Sequence, residues 1–251
     1  MRRALAVLSL SLSLLLPLAA CASAGSQDEQ TLRVFAAASL TESFESLAES
    51  FEAEHDGVTV ELNLGPSSGL AEQIASGAPA DVFASASPTN MQDLRDDGLV
   101  TEAVDFATNS LEIAVPPGNP GGVASVEDLA DPEVKVAVCE ADVPCGVVAA
   151  EVLDQAGLDV APVTEEVDVK SVLTKVTLDE VDAGLVYVSD VVAAGDDVEG
   201  VEIPAELNSA TTYPIAALED AADPDLAREW VDLVTSEQGQ RVLRDAGFGA
   251  P

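Results

Sequence analysis

Histidine, cysteine and aromatic residues are scarce in this chain of 251 residues. The single histidine, His55, and three cysteines leave few ligands for a zinc site, which takes four nitrogen or sulfur ligands. Aromatic residues make up 4% and apolar residues 47%, so a core must be built mainly from Ala, Val and Leu. The length allows one large domain or two lobes of roughly 100–150 residues each.

Several common enzyme signatures are also missing. The chain has no P-loop, no G-x-G-x-x-G fingerprint and no H-E-x-x-H motif. His55 lies at a predicted helix end beside Asp56 and Gly57, where a surface role is expected. The acidic pair at 165–166 lacks the alternating ligands and central glycine of a calcium loop. The sequence therefore predicts a protein that is not an enzyme and has no resident cofactor or metal.

Basic residues are few, and two of the ten lie in the first 20 residues. Without residues 1–20, the chain has 8 Lys and Arg against 46 Asp and Glu, a net charge of −38. Such a surface repels nucleic acids and anionic membrane surfaces, so neither is expected as a partner. An acidic proteome explains the charge as well, and the charge alone does not identify a ligand.

The first 20 residues are typical of an export signal. Arg2 and Arg3 precede a Leu-rich run over 4–16, which Pro17 ends before it reaches the ~20 residues of a membrane span. Leu-Ala-Ala-Cys at 18–21 fits a bacterial lipoprotein signal, in which Cys21 receives the lipid. The alternative is an ordinary cleaved signal peptide. We expect a lipid-anchored protein on the outer face of the cytoplasmic membrane, with residues 21–30 as a flexible tether.

The remaining cysteines, Cys139 and Cys145, are six positions apart. Outside the cytoplasm a disulfide is the default interpretation of such a pair. Zinc is the alternative, but no other thiol is free and only one histidine exists, so we predict a disulfide.

Short apolar runs alternate with segments of helical spacing, which is the pattern of an α/β fold with mainly parallel sheets. Strands are predicted at residues 32–38, 58–64, 81–85, 109–116, 134–138, 183–188 and 213–218. Helices are predicted at residues 39–55, 68–77, 88–98, 125–129, 143–157, 170–178 and 225–244. Two βα modules with a late returning strand suggest two lobes around a cleft.

Three of the strand-to-helix junctions are rich in serine and small residues: Ser39, residues 67–69 and residues 143–146. A helix N-terminus presents unpaired backbone N–H groups and a partial positive charge, which together form an anion site without Lys or Arg. Ser39 with Glu42 also matches the S-x-x-E capping box, so Ser39 has a purely structural alternative.

The segments VFAAASLTESF, SSGLAEQIASGAPADVFASAS, VPCG and GLVYVSD together resemble the molybdate-binding proteins of bacterial ABC importers, over roughly residues 31–248. The resemblance implies a two-lobed periplasmic-binding-protein fold of type II, with helices on both sheet faces and a hinge between the lobes. Lobe 1 would comprise residues 31–108 and 212–251, and lobe 2 residues 109–211. The hinge would lie at 108–110 and 211–213.

The same resemblance implies the ligand contacts. Ser39 and Ser67 would bind a tetrahedral oxyanion, molybdate or tungstate, through hydroxyl and backbone N–H groups. Cys145 and Val169 would donate backbone N–H groups, and Tyr187 its phenolic O–H. The family often has Ala at the position of Cys145, but a main-chain contact does not depend on that side chain.

The resemblance also implies a monomer that delivers its ligand to the membrane subunits of an ABC permease. The nearest alternative is the same fold with sulfate, phosphate or an organic ligand. Ferric iron would need clustered tyrosines, and only Tyr187 and Tyr213 exist. An exported hydrolase using Ser39 or Ser67 lacks a recognisable base, and a surface interaction module would bind no small molecule.

Overall fold

The computed structural model describes residues 30–251; the predicted signal peptide, the lipidation site Cys21 and the tether as far as residue 29 lie outside them. The strands are β1 (Gln30–Ala37), β2 (Val58–Gly65), β3 (Val82–Ala84), β4 (Val104–Val115), β5 (Val136–Cys139), β6 (Thr164–Glu166), β7 (Ala183–Tyr187), β8 (Glu199–Glu202) and β9 (Ala210–Ala217). The helices are α1 (Thr41–Glu54), α2 (Ser67–Ala75), α3 (Pro88–Asp96), α4 (Pro144–Ala156), α5 (Val169–Thr177), α6 (Val188–Ala194), α7 (Pro224–Thr235) and α8 (Glu237–Asp245), with short 3-10 turns at Ala38–Leu40, Val126–Ala130 and Gly195–Asp197. Within residues 30–251, no helix is long and apolar enough to cross a membrane.

The strands follow the spatial order β2-β1-β3-β9-β4-β7-β5-β6, and β8 also pairs with β4. Strand β1 is parallel to β2 and β3, and β5 is parallel to β6 and β7. Strands β4 and β9 pair antiparallel with their neighbours. The α/β class is confirmed. The sheets are mixed because β4 and β9, which join the two halves, run against the parallel strands.

The first lobe is a sheet of β2, β1, β3 and β9 with apolar clusters on both faces. On one face α1, α7 and α8 enclose Phe44, Phe51 and the fully buried Trp230. On the other face α2 and α3 contribute Leu70 and Met91. Trp230 packs edge-on against the rings of Phe44 and Phe51, and most of the few aromatic residues lie in this one cluster.

The second lobe has a separate core, formed by residues between 111 and 203. Strands β5 and β7 are buried along their whole length, as expected for parallel strands covered on both faces. Helices α4 and α5 bury Val148, Val152, Val172 and Val176 against them. Aliphatic side chains therefore build this core almost alone.

Two strands run side by side between the lobes. The first half of β4 pairs with β9, and its second half pairs with β7 and β8. Residues 108–110 lie directly opposite 210–212, so the two predicted hinge segments are neighbours. Thr108 also forms a two-residue bridge with Gly249 near the C-terminus. The predicted lobe boundaries fall inside these shared strands and stay a prediction.

The structure differs from the predicted elements mainly near chain reversals. The closing helix predicted at 225–244 is two helices, because Ser236 ends α7 and its side chain accepts a hydrogen bond from the N–H of Gly239, which caps α8. Strand β4 begins at Val104, before the predicted 109. The elements β6, α6 and β8 were not predicted.

Candidate ligand-binding site

The five residues that the family resemblance assigns to the ligand all line one cavity between the lobes. The first lobe contributes Ala37, Ala38, Ser39, Gly65, Pro66, Ser67 and Ala86, and the second lobe contributes Val143, Pro144, Cys145, Asp168, Val169 and Tyr187. The cavity has an empty volume of about 230 Å³, including the part open to solvent. The space that these residues enclose is smaller than that figure, and sites for drug-sized organic ligands span about 300–1,000 Å³, so this cavity suits an ion better.

Four helical segments begin at this cavity. Ser39 lies in the 3-10 turn that leads into α1, Ser67 is the first residue of α2, Cys145 is the second of α4 and Val169 is the first of α5. The first N–H groups of a helix have no partner within it and carry the positive end of the helix dipole. Donors from both lobes therefore converge on one point.

Ser39 does not cap α1. The N-cap residue is Leu40, which makes no side-chain cap, and the Oγ of Ser39 lies 2.9 Å from the hydroxyl of Tyr213. Ser39 and Tyr213 are both buried. The capping-box interpretation of Ser39 and Glu42 is therefore wrong. The serine hydroxyl is held by a tyrosine 174 positions away and faces the cavity.

Ser67 is held in a similar way. Its Oγ accepts a hydrogen bond of 3.0 Å from the backbone N–H of Ala86, which follows β3. Because that bond uses the oxygen as acceptor, the hydroxyl proton of Ser67 is free to donate elsewhere. Ser67 is 1% exposed and lines the cavity, so an acceptor in the cavity can take that proton.

Residues 65–69, Gly-Pro-Ser-Ser-Gly, have the G-x-S-x-G spacing of a hydrolase nucleophile elbow, and Ser67 is at its centre. A serine nucleophile needs a base within hydrogen-bond reach. The one histidine, His55, binds the carboxylate of Glu229 and the carbonyl of Phe51 at the far end of α1. Ser67 has the spacing of a nucleophile without the base that would activate it.

Tyr187 ends β7, and its hydroxyl is buried without a hydrogen-bond partner in the described part of the chain. An unpaired buried hydroxyl costs free energy unless a ligand or water satisfies it. Burial raises the pKa of Tyr187 well above its ordinary value, so the phenol stays protonated and can donate. The backbone N–H of Tyr187 donates to the carboxylate of Asp190, 3.1 Å away.

A disulfide joins Cys139, the last residue of β5, to Cys145 in the first turn of α4, with the Cα atoms 5.7 Å apart. The intervening loop is tight, because a Cβ atom at Gly146 would lie 1.8 Å from the carbonyl oxygen of Glu140. The loop and the disulfide together fix the position of the Cys145 N–H. Cys145 thus reaches the cavity while its side chain has a structural role.

The residues that line the cavity include no Lys, Arg or His, and one carboxylate, Asp168. The Oδ1 atom of Asp168 accepts a hydrogen bond of 2.8 Å from the N–H of Ser171 and so caps α5. Its charge opposes an anion, whereas the helix starts around it favour one. Over residues 30–251, no group of three or more His, Cys, Asp or Glu side chains is placed to hold a metal ion.

Residues 32–249 match the family model described as bacterial extracellular solute-binding protein. The chain belongs to this family. This bacterial extracellular solute-binding protein is 40% identical to the molybdate-binding protein ModA of Mycobacterium tuberculosis over 226 residues, 90% of this chain and 87% of ModA. It is 30% identical to ModA of Escherichia coli over 247 residues, 88% of this chain and 90% of that protein.

The fold agrees with that of solved family structures. The periplasmic molybdate-binding protein of Azotobacter vinelandii superimposes with a TM-score of 0.78 at 21% identity, covering 88% of this chain and 99% of that one. The family model describes a solute-binding protein and not an enzyme. The sequence analysis did not assign Asp168 and Tyr213 to the site. Asp168 could have been recognised as the N-cap of a helix that begins at the cavity. The contact of Tyr213 with Ser39 could not, because the two residues are 174 positions apart.

Proposed function

We propose that this solute-binding protein captures molybdate, and also tungstate, outside the cytoplasm and delivers it to the membrane subunits of an ABC permease. The observation that carries the proposal is the convergence of hydrogen-bond donors from both lobes on one cavity that no cationic side chain lines. The 40% identity to a protein named as molybdate-binding supports the choice of ligand.

The donor set suits the chemistry of this ligand. Molybdate at neutral pH is a dianion with four acceptor oxygens and no proton. Each of Ser39, Ser67 and Tyr187 can offer a hydroxyl proton, and the helix starts offer backbone N–H groups. Hydrogen phosphate has an O–H group that needs an acceptor. The one carboxylate in the lining, Asp168, already accepts the N–H of Ser171, so a site built mainly from donors disfavours hydrogen phosphate.

Such a site can bind tightly without a lysine or arginine. Hydrogen bonds to a charged group contribute about 1.5–3 kcal/mol each. A handful of them, reduced by the cost of association, reaches about −8 kcal/mol, which corresponds to a micromolar dissociation constant. The repulsion from the acidic surface is screened beyond about 8 Å at physiological salt. The local donors therefore decide the affinity.

The cellular arrangement rests on the N-terminal sequence. Residues 18–21 fit a lipoprotein signal, so we propose that Cys21 carries a lipid and holds a monomer at the outer face of the cytoplasmic membrane. The tether over 21–30 would let the lobes reach the permease. Mass spectrometry of the protein isolated from cells tests this, because an unmodified Cys21, or a mature chain that begins after Cys21, would contradict the anchor.

Titration calorimetry with molybdate, tungstate, sulfate and phosphate tests the ligand. We expect micromolar or tighter dissociation constants for molybdate and tungstate and at least tenfold weaker binding of the other two. If sulfate or phosphate bound more tightly than molybdate, that anion and not molybdate would be the ligand. The absence of heat with all four anions would contradict oxyanion capture.

A pair of serine variants on neighbouring turns connects the binding to the cavity. Ser39→Ala removes a hydroxyl that faces the cavity, and we expect weaker molybdate binding with the fold retained. Ser46→Ala changes an exposed serine of α1 and serves as the matched control, with unchanged affinity. If the two variants bound molybdate with equal affinity, the hydroxyl of Ser39 would not contribute to binding.

A further inference from the structure

A single lysine connects the two lobes beside the cavity. Lys170 is the second residue of α5 and follows Val169, which lines the cavity. Its Nζ lies 2.8 Å from both carboxylate oxygens of Glu42 and 3.2 Å from Oδ1 of Asp190. Lys170 is therefore held between two carboxylates, one on α1 and the other on α6.

Lys170 and Glu42 belong to different lobes. Helix α1 packs through Phe44 into the first lobe, whereas α5 packs through Val172 into the second. Glu42 is in the first turn of α1, just after the turn that contains Ser39. The ion pair of Lys170 with Glu42 therefore bridges the cleft at the edge of the ligand cavity.

The other partner of Lys170, Asp190, connects it to Tyr187, which lines the cavity. Asp190 is fully buried, and its second carboxylate oxygen accepts the backbone N–H of Tyr187. A buried carboxylate needs a nearby cation, and Lys170 supplies it. Displacement of Lys170 would therefore disturb Asp190, and through it the strand end that places the hydroxyl of Tyr187.

We propose that Lys170 is a positioning residue that latches the closed cleft, and that its pair with Glu42 slows the release of the bound oxyanion. The proposal rests on the proposed function. The Lys170–Glu42 contact joins two lobes, so it forms only when they are closed. A contact made only in the closed state retards dissociation more than it changes association.

Helix α5 carries a second lysine whose ion pair lies within one lobe. Lys175 lies 2.7 Å from Glu180, and both residues belong to the second lobe. The side chains of Glu42 and Glu180 are 50% and 51% exposed, so these two glutamates differ chiefly in whether their lysine belongs to the other lobe. The Lys175–Glu180 pair is therefore the matched control.

The experiment measures molybdate association and dissociation rates for the wild type, Glu42→Gln, Lys170→Met and Glu180→Gln. We expect Glu42→Gln to speed dissociation about threefold, as for a partly exposed ion pair. Lys170→Met should speed it about tenfold, because it also leaves Asp190 unpaired. Association rates should stay within about twofold, and Glu180→Gln should match the wild type.

Denaturant unfolding of the ligand-free variants separates a latch from a general structural role. Glu42→Gln should unfold like Glu180→Gln and still release molybdate faster. The latch would be overturned if Glu42→Gln lost enough ligand-free stability to account for its whole increase in the dissociation rate. An unchanged dissociation rate in Glu42→Gln would overturn it as well. Absence of molybdate binding in the wild type would instead overturn the proposed function, and this proposal with it.

Discussion

The hydroxyl protons at the cavity are directed by the residues behind them. Ser67 already accepts a backbone N–H, and Ser39 has the buried hydroxyl of Tyr213 as its neighbour. Burial raises the pKa of Tyr213 above its ordinary value, so this phenol keeps its proton and can donate it to Ser39. Ser39 can then give its own proton to an acceptor in the cavity. We therefore predict that Tyr213 donates to Ser39 and so directs the hydroxyl proton of Ser39 into the cavity.

Replacement of Tyr213 by Phe tests this directionality. The ring contacts with Phe106 and Phe248 remain, so we expect the fold to persist. Molybdate affinity should fall up to tenfold, because the hydroxyl of Ser39 loses its donor and becomes free to rotate, which weakens about one hydrogen bond. Calorimetric titration with thermal unfolding as a control measures both effects. Unchanged affinity would mean that Ser39 donates to Tyr213 instead.

Asp190 gives the protein a pH dependence of a definite sign. Burial raises the pKa of Asp190 to about 6, although the neighbouring Lys170 opposes the rise. A carboxyl group with a raised pKa favours folding while it is protonated. Its contribution to the free energy of unfolding is complete below the ordinary pKa of about 3.9 and is lost as the pH rises through about 6.

The variant Asp190→Asn isolates this contribution. The wild type minus the variant difference in the free energy of unfolding should fall between pH 4 and pH 7, by roughly 3 kcal/mol for a shift of two pKa units. Denaturant titrations at several pH values measure the difference. A difference that does not vary with pH would show that Asp190 does not titrate in this range.

The helices and strands that the sequence predicted well are those with strong local signals. Ser87 followed by Pro88 starts α3, and the side chain of Ser87 accepts the N–H of Thr89. Gly157 ends α4 with a positive φ of 65°. By contrast β8 has the sequence EGVE, without an apolar run, and is a strand only because its backbone pairs with β4. Pairing partners distant in the chain leave no local pattern.

In the candidate site, too, the sequence predicted the local features but not the contacts between residues distant in the chain. Helix starts are local features, so the junctions at Ser39, Ser67 and Cys145 could be found from spacing and small residues. The bonds from Lys170 to Glu42 and from Ser39 to Tyr213 join residues 128 and 174 positions apart. Such contacts depend on how the lobes meet, which residue patterns do not encode.

The disulfide between β5 and α4 predicts a response to reduction. Closure of so short a loop contributes about 2 kcal/mol on the chain-entropy model, so reduction should lower the free energy of unfolding by about that amount. It should also weaken molybdate binding severalfold, because the N–H of Cys145 is no longer held beside the cavity. Alkylation of unreduced protein followed by mass spectrometry checks the bond, and free thiols at Cys139 and Cys145 would contradict it.

The net charge of the exported chain has a consequence for ligand capture. Residues 21–251 carry 46 acidic and 8 basic residues, so an approaching dianion is repelled over the Debye length, which is about 30 Å at 0.01 M and 8 Å at 0.15 M ionic strength. Added salt should therefore raise the association rate of molybdate, the reverse of the usual behaviour of steered anions. Stopped-flow measurements across this range test it. A rate that falls with salt would indicate a positive local field at the cleft.

The bridge between Thr108 and Gly249 places the last residues of the chain on one of the two strands that join the lobes. The backbone groups of these two residues bond reciprocally, and the hydroxyl of Thr108 adds a bond to the carbonyl of Ala250. An affinity handle or fluorophore appended after Pro251 would therefore sit beside the predicted hinge at 108–110, where we expect it to hinder uptake and to report little of the lobe movement. Reporter groups for transport assays belong on the outer helices instead.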